Sequence, residues 1–233
     1  MSPLSPLRAI RAGVERLPAD HDAPRHRHGQ AYVTVVFAGA YEQVAYAGRL
    51  KVQAGDLLIQ PTLDAHADRM LSPGVELLRL PWRRELTLGG VFSDLPIDEI
   101  RRAAARDIGE AVALVEDLTA TRSPRARRLD HWSDRLAADL VTGHQTSLAD
   151  WAERADLSRE TVSRGFMARF GVSPARFRAE LRARAAWGRI AETRAPLADI
   201  AYDLGFADQA HMTRAVRWLT GAAPAAWRAP APR

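Results

Sequence analysis

Three histidines in the first third of the chain have the type and spacing of a ligand site. His26 and His28 flank a single residue, and His66 follows further along the chain. Alternate residues of a β-strand point to the same face of a sheet, so a strand here would present the first two imidazoles on one side. Three imidazoles that meet inside a barrel could hold a divalent transition metal, with His21 as a possible fourth ligand.

The same histidines also have a metal-free interpretation, which the sequence favours. Imidazoles in a sensor barrel can hydrogen-bond an effector, or titrate near neutral pH as a pH-sensitive element. A metal enzyme normally needs a full ligand set and an open coordination position. We therefore expect an effector pocket that requires no cofactor, with a bound divalent transition metal and a purely structural role as alternatives. The candidate pocket residues are His26, His28, Tyr32, Thr34, Gln43 and His66.

Two stretches in the last third of the chain carry mostly polar side chains that could contact DNA bases. Arginine can take a guanine edge with two hydrogen bonds, and glutamine can pair with adenine. In each stretch the side chains follow the spacing i, i+1, i+4 and i+5, which places them on one side of an α-helix. The first set is Arg159, Glu160, Ser163 and Arg164, and the second is Gln209, Ala210, Thr213 and Arg214.

Both stretches belong to a repeated unit. A Leu-Ala-Asp sequence that begins at Leu148 recurs 49 residues later at Leu197. From Arg164 onward the offset is 50, which indicates one inserted residue at the turn of the second copy. Two helical units that each present a polar face fit helix-turn-helix geometry, in which the second helix enters the major groove of DNA.

Capping residues delimit the helices of each copy. Ser147 and Ser158 are expected to begin the two helices of the first copy, and Asp208 the second helix of the second copy. We call the helix that presents each polar face a reading helix. Gly171 should end the first reading helix, and the Ser-Pro pair at residues 173–174 should begin a long helix that joins the two helix-turn-helix units. The expected core stripes are Val162, Phe166 and Phe170 in the first copy and Met212, Val216 and Leu219 in the second.

The first 144 residues are expected to form a β-domain followed by helices. Short β-branched and aromatic runs separated by Gly and Pro are typical of a small sandwich or barrel, and they lie at residues 32–37, 41–46, 50–52, 57–59 and 75–80. Apolar residues then keep helical spacing from Ile97 to Leu118 and from Trp132 to Leu140. These helices could pack on the barrel or form a dimer interface. The predicted domains are 1–92 for effector binding, 93–144 as a helical connector and dimerisation region, and 145–233 for DNA binding.

The charge of the chain is concentrated in the repeated part. Residues 145–233 contain 14 arginines, no lysine and 9 acidic residues, whereas residues 1–144 contain 19 basic and 19 acidic residues. A basic excess confined to one domain indicates a polyanionic partner. The chain has no cysteine, which excludes disulfides and thiolate metal sites. Because no apolar run is long enough for a membrane helix, we expect a cytoplasmic protein with no membrane partner.

The second copy resembles the signature of the AraC/XylS family of bacterial transcription regulators, from Ile200 to Gln209 and on through Arg214, Gly221, Pro224 and Trp227. The resemblance covers about residues 145–228. It implies seven helices, in which two helix-turn-helix units joined by a central helix bind promoter DNA. It also implies base-reading roles, with Arg159 and His211 as flanking candidates, for Glu160, Ser163, Arg164, Gln209, Ala210, Thr213 and Arg214. The chain departs from the family pattern at Val216, where an aromatic residue is usual, and at Ala210, where a polar residue is usual.

The histidine region resembles the cupin superfamily. His26-x-His28 is similar to part of its first motif, and the Gly, Pro and His spacing between residues 55 and 66 is similar to its second. The resemblance covers about residues 20–80 and implies a cupin-like barrel. The carboxylate expected four residues after His28 is replaced by Tyr32.

Together these features predict an α+β protein of two domains, a cupin-like β-barrel and an all-α domain with two helix-turn-helix units, linked by a helical connector. The expected function is an effector-responsive, sequence-specific transcription regulator and not an enzyme. Its expected partners are double-stranded promoter DNA, a small-molecule effector and RNA polymerase, and it could form a homodimer. One alternative is a metal-dependent cupin enzyme with an accessory DNA-binding domain. Another is a constitutive DNA-binding protein whose barrel only dimerises.

Overall fold

The computed structural model describes residues 7–83, 88–126, 129–143 and 147–228. These residues divide into two compact units, with the boundary between Ala138 and Asp139. The first unit contains an antiparallel sheet and helices, and the second is helical. This confirms the predicted α+β class with two domains.

Seven strands form the sheet, and every pairing is antiparallel. The main path runs β1-β6-β3-β5-β7, while β2 pairs with β6 and β4 pairs with β3. Among the described residues these pairings do not themselves close a ring, so the cupin-like barrel stays a prediction. The strands are β1 (Gly13–Leu17), β2 (Asp22–His26), β3 (Tyr32–Ala45), β4 (Gly48–Gln53), β5 (Leu57–Gln60), β6 (His66–Pro81) and β7 (Gly90–Phe92).

The long strand β3 (Tyr32–Ala45) corrects the sequence prediction, which placed separate strands at residues 32–37 and 41–46 with Gly39 as the break between them. The backbone continues through this point with a bulge between Gly39 and Tyr41. Gly39 has a positive φ of 75°, and a Cβ there would collide with the backbone of Gly74 on β6. A bulge bends a strand without ending its pairing, so glycine marks a bend here and not a terminus.

Strand β6 is also longer than predicted, because it begins at His66 and not at Val75. Its first half pairs with β2, a strand whose bounds the sequence did not predict. This early start matters for the histidines, since it places His66 directly opposite His26 across the β2–β6 pair.

Both faces of the sheet are buried. On one face Val33, Val35 and Phe37 pack with α1 (Ile97–Arg106) and α2 (Ile108–Ala120) through Ile100 and Val115. Burial of these apolar positions within the unit supports the interpretation that the helices pack on the sheet. The helix α3 (Trp132–Val141) follows as predicted, and dimerisation through this region stays a prediction.

The other face of the sheet has its own core. It includes Val36, Tyr41, Leu58, Met70 and Leu77. Apolar side chains are therefore buried on both faces of the sheet.

The second unit is built from five α-helices and one 3₁₀ helix between residues 147 and 228, one helical segment fewer than the family resemblance implies. They are α4 (Leu148–Arg154), α5 (Arg159–Phe170), α6 (Pro174–Glu192), α7 (Leu197–Asp203), α8 (Gln209–Thr220) and the 3₁₀ helix Pro224–Trp227. The last turn of α3 belongs to the same compact unit. No helix in the described part of the chain is long and apolar enough to cross a membrane.

Candidate nucleic-acid interface and histidine pocket

The structure brings the three predicted histidines of the first unit together. His26 ends β2 and His66 begins β6, while His28 lies just beyond β2 and pairs with Arg8 in an isolated bridge. The prediction that His26 and His28 share one strand was therefore wrong. The imidazole rings still meet, with centroids 4.4 to 5.4 Å apart, and all three residues are buried.

Backbone carbonyls fix the tautomer of each ring. The Nδ1 atoms of His26, His28 and His66 each lie 2.9 Å from a carbonyl oxygen, of Pro24, Arg8 and Asp64 respectively. A carbonyl only accepts, so each Nδ1 carries the proton and donates it. This leaves the lone pair of each ring on Nε2, the arrangement typical of metal-binding histidines, and in His66 that lone pair accepts a hydrogen bond from Tyr32.

Burial keeps the three rings neutral. It lowers the pKa of His28 to about 3 and the pKa values of His26 and His66 to about 4. For His26 and His28 the neighbouring imidazole of His66 adds to this effect. The rings are therefore uncharged at neutral pH, which argues against the pH-sensitive element considered from the sequence.

A carboxylate that the sequence analysis missed lies beside the histidines. Asp68 is two residues after His66 on β6, so both side chains point to the same face, and its Oδ2 lies 3.9 Å from His66 Nε2. Burial raises the pKa of Asp68, and Gln43 Nε2 donates a 2.9 Å hydrogen bond to its Oδ1. The cupin pattern directed attention to position 32, where Tyr32 donates instead to His66 Nε2 at 3.1 Å.

The donor set fits a divalent transition metal after a small adjustment. One ring nitrogen from each histidine lies within 4.8 Å of the other two. Two nitrogens in a tetrahedral zinc site lie only about 3.4 Å apart, because each bond is about 2.1 Å long. The rings would therefore have to converge, and Tyr32 would have to release His66.

The remaining pocket candidates are placed differently. Gln43 is connected to the histidines through Asp68, and Thr34 hydrogen-bonds Tyr41. His21 is exposed and lies outside the histidine group. We use the name histidine pocket for His26, His28, Tyr32, His66 and Asp68.

In the second unit, the helices of the first copy begin and end where the sequence predicted. Ser147 Oγ accepts from the amide of Asp150 at the start of α4, and Ser158 Oγ accepts from the amide of Thr161 at the start of α5, each at 3.1 Å. Gly171 ends α5 in the left-handed region, with φ of 70°. These caps satisfy terminal backbone groups and fix the first helix-turn-helix unit.

The second copy repeats this geometry and shows where the extra residue lies. The amide of Leu157 donates to Ala152 in the first turn, and the amide of Phe206 donates to Ala201 in the second, both at 2.9 Å. The next capping residue is Ser158 in the first copy but Asp208 in the second. Ala207 is therefore the inserted residue, and it lies in the turn as predicted.

The predicted core stripes are confirmed. Val162, Phe166 and Phe170 on α5 and Met212, Val216 and Leu219 on α8 are all buried. The stripes orient each helix, so the predicted polar faces point outward. Arg159, Glu160 and Arg164 are exposed on α5 and Gln209, Ala210 and Arg214 on α8, while Ser163 and Thr213 are half-buried at the same position of each face.

The three arginines of the two faces are available for a ligand. Within the described part of the chain, Arg159, Arg164 and Arg214 have no hydrogen-bond or ion-pair partner. His211 differs from the other candidates, because its ring packs edge-on against Phe206 with centroids 5.3 Å apart. It is exposed but partly held by this contact, so its reach toward DNA is restricted.

A sequence profile for a helix-turn-helix domain matches residues 151–230, which include the two helix-turn-helix units and the central helix that joins them. Residues 151–230 form an AraC-type helix-turn-helix domain. The protein is therefore a DNA-binding transcription regulator, in which the AraC-type domain supplies the DNA contact. No curated protein matches the chain significantly.

Several solved structures are similar to the chain. ToxT from Vibrio cholerae O395 aligns over 93% of this chain and 96% of its own, with 10% identity and a TM-score of 0.42. The C-terminal domain of AraT, a response regulator from Geobacillus stearothermophilus, aligns over 43% of this chain and 86% of its own, with 22% identity and a TM-score of 0.39. A transcriptional regulator from Chromobacterium violaceum aligns over 40% and 89%, with 22% identity and a TM-score of 0.36.

The AraC-type domain also exposes a residue that the sequence analysis did not select. Met167 on α5 is 47% exposed and lies one turn beyond Arg164. Its equivalent in the second copy, 50 residues on, is Arg217, which is exposed too. The signal was present in the sequence, because a residue three positions after an outward arginine lies on the same side of the helix.

Proposed function

We propose that this regulator responds to a ligand bound in the histidine pocket of its first unit. The observation that carries the proposal is the convergence of three buried, neutral imidazoles whose Nδ1 atoms are all occupied by backbone carbonyls. Neutral imidazole nitrogens are common ligands of divalent transition metals in proteins. A pocket of this kind is suited to a ligand that accepts nitrogen lone pairs.

A divalent transition metal is the ligand that this donor set favours. His26, His28 and His66 would hold it through their second ring nitrogens, and Asp68 is the nearest carboxylate. A bound metal would supply a positive charge that organises the ends of β2 and β6. The three Nδ1 hydrogen bonds would keep the rings oriented, which is the usual role of such outer partners.

Ligand binding regulates DNA binding only if the ligand prefers one state of the protein over another. In our proposal the ligand selects the state of the first unit that is compatible with DNA binding by the AraC-type domain, and the protein is a regulator without enzymatic turnover. It acts on promoter DNA in the cytoplasm. Contact with RNA polymerase and assembly as a homodimer are parts of the same proposal.

The test uses the full chain and a DNA site selected in vitro from random sequences. Binding is measured after chelation and after addition of Zn²⁺, Co²⁺ or Ni²⁺, with metal content determined on the purified protein. We expect one metal to bind at one ion per chain, to change DNA affinity, and to raise the melting temperature. A ligand at 100 times its dissociation constant stabilises the folded state by about 2.7 kcal/mol.

The control variants use histidines inside and outside the pocket. His66→Gln should abolish the metal effect on DNA affinity, whereas His21→Gln should leave it intact because His21 is exposed and lies outside the histidine group. Metal-independent DNA binding would contradict the proposed ligand. Metal-dependent turnover of a small molecule would favour the alternative of a cupin enzyme with an accessory DNA-binding domain.

A further inference from the structure

The first reading helix is attached to the central helix α6 at its first turn. Phe177 of α6 is fully buried, and its ring lies 5.3 Å from that of Phe166 and 5.6 Å from that of Phe170, both on α5. Ser173 caps α6 just before this turn by accepting from the amide of Arg176. The orientation of α5 is therefore determined at the beginning of α6.

The second reading helix is attached to the same turn through the neighbouring residue. The guanidinium carbon of Arg176 lies 3.6 Å from the centre of the Trp218 ring on α8. Its Nε donates a 3.1 Å hydrogen bond to Glu180, whose side chain is fully buried. Successive residues of an α-helix point about 100° apart, so Arg176 and Phe177 can hold different helices from one turn.

The chemistry of this contact requires arginine. The guanidinium group is planar, so its face can stack on an indole while its edge donates to a carboxylate. A lysine ammonium cannot do both with the same geometry. A buried carboxylate that loses its cation is strongly unfavourable, and Glu180 therefore holds Arg176 in place over Trp218.

Neither partner of this contact is repeated between the two copies. At an offset of 50 residues, Arg176 corresponds to Ala226 and Trp218 corresponds to Ala168. Residues that each unit needs for its own fold, such as the capping glycines, are repeated. The Arg176–Trp218 contact therefore serves the joint between the units and not either unit alone.

Ala186 and Ile190 of α6 also pack in one buried apolar cluster with Met212 and Val216 of α8. We infer that Arg176 is a positioning residue that, in addition to this packing, fixes α8 relative to α5 and so helps to set the spacing of the two DNA half-sites. This inference does not depend on the histidine pocket. It depends on both reading faces contacting DNA at once. Without the stacked guanidinium the units remain folded, but α8 is held less firmly and the protein tolerates other spacings.

The experiment measures affinity of the full chain for a series of DNA duplexes in which the two selected half-sites are moved apart or together by one to three base pairs. Each base pair moves a half-site by about 3.4 Å and rotates it by about 34°, since the helix repeats every 10–10.5 base pairs. We expect the wild type to lose about tenfold or more for a one-pair shift, a cost comparable to that of a mismatched base pair.

Arg176→Ala should bind the duplex of optimal spacing several times more weakly than the wild type. Its affinity should fall by less than about threefold for a shift of one base pair, because a weaker contact between α6 and α8 lets the second helix-turn-helix unit move at a lower cost in free energy. Arg176→Lys should behave similarly, since it keeps the charge but not the stack. Trp218→Leu should flatten the profile as much, and the double variant should add little. Arg189→Ala is the matched control, because it removes an exposed ion pair between α6 and Asp203 on α7 and should leave the profile sharp.

A uniform loss of affinity at every spacing, with the wild-type profile retained, would overturn the inference and leave Arg176 a stability residue. A wild-type profile without an optimum would also overturn it, because there would be no fixed spacing to set. If Arg176→Ala fails to fold, as judged by circular dichroism, the Arg176→Lys and Trp218→Leu profiles decide the question. Loss of metal response with an intact spacing profile would contradict only the proposed ligand.

Discussion

The two helix-turn-helix units of this protein share a backbone but differ in the side chains built on it. Their turns close with the same 2.9 Å hydrogen bond, Leu157 to Ala152 in one and Phe206 to Ala201 in the other. Their reading helices end at glycines with φ of 70° and 81°. The comparison shows that duplication preserved the geometry that presents a face and left the face itself free to change.

The turns show how far this freedom extends. The left-handed position is Gly205 in the second unit, with φ of 67°, and Asp156 in the first, with φ of 54°. Aspartate tolerates this conformation better than most residues. The same backbone shape is thus produced by two residue types, one of which carries a charge.

The cores differ more than the turns. In the first helix-turn-helix unit three aromatic rings contact one another, those of Phe166, Phe170 and Phe177. In the second helix-turn-helix unit Met212 and Val216 occupy the corresponding part of the core, next to Phe206. Aromatic contacts add to the stability gained by burial, so the first helix-turn-helix unit should lose more stability than the second when a core side chain is truncated.

The largest expected effect tests this difference in the cores. Phe166→Ala should lower the free energy of unfolding of the helical unit by about 3–5 kcal/mol, because it leaves a ring-sized cavity in a fully buried site. Val216→Ala removes only two methyl groups and should cost about 2 kcal/mol. Denaturant unfolding followed by tryptophan fluorescence measures both. Equal losses of unfolding free energy would show that the cluster of three phenylalanine rings adds no stability to the first helix-turn-helix unit.

A smaller effect tests whether Arg164 and Arg214, which occupy the same position on the two faces, contribute equally to DNA binding. Arg164→Ala and Arg214→Ala should each weaken binding to the selected DNA site by about 10- to 100-fold, since a bidentate base contact is worth about 1–3 kcal/mol. Losses on random DNA should be smaller, and the double variant should be close to additive. An equal loss on both DNAs, measured by fluorescence anisotropy, would mean that these arginines contact only phosphates.

The smallest effect tests whether the two backbones are equivalent. Gly171→Ala and Gly221→Ala should each destabilise the helical unit by about 1–2 kcal/mol, because alanine is strained in the left-handed region while the space around both sites is open. The two costs should agree within error in thermal unfolding. A clear inequality would show that the units are scaffolded differently despite their matching hydrogen bonds.

The helical domain could be predicted closely from the sequence because its signals are local. The caps at Ser147, Ser158 and Asp208, the stop at Gly171 and the inward stripes each depend on residues within one or two turns. The repeat supplied a second, independent copy of the same pattern. The Arg176–Trp218 contact could not be predicted, since it joins residues 42 positions apart and is absent from the repeat.

The sheet was predicted less well because its pairings are not local. The histidines were identified by type, but Asp68 was missed because β6 was expected to begin only at Val75. Gly39 was interpreted as a strand end because a bulge and a turn share the same residue preference. The register that places His26 opposite His66 is a property of the fold and has no signal in either segment alone.

Two equivalent helix-turn-helix backbones carry unlike side chains on their exposed faces, and the chain should therefore bind an asymmetric DNA site. The most direct test is in vitro selection of DNA sites with the wild-type chain and with the variant Gln209→Arg, Ala210→Glu, Thr213→Ser, which gives α8 the face of α5. The wild type should select two unlike half-sites, and the variant should select the first half-site twice in tandem. Alike half-sites for the wild type, or an unchanged second half-site for the variant, would contradict the account.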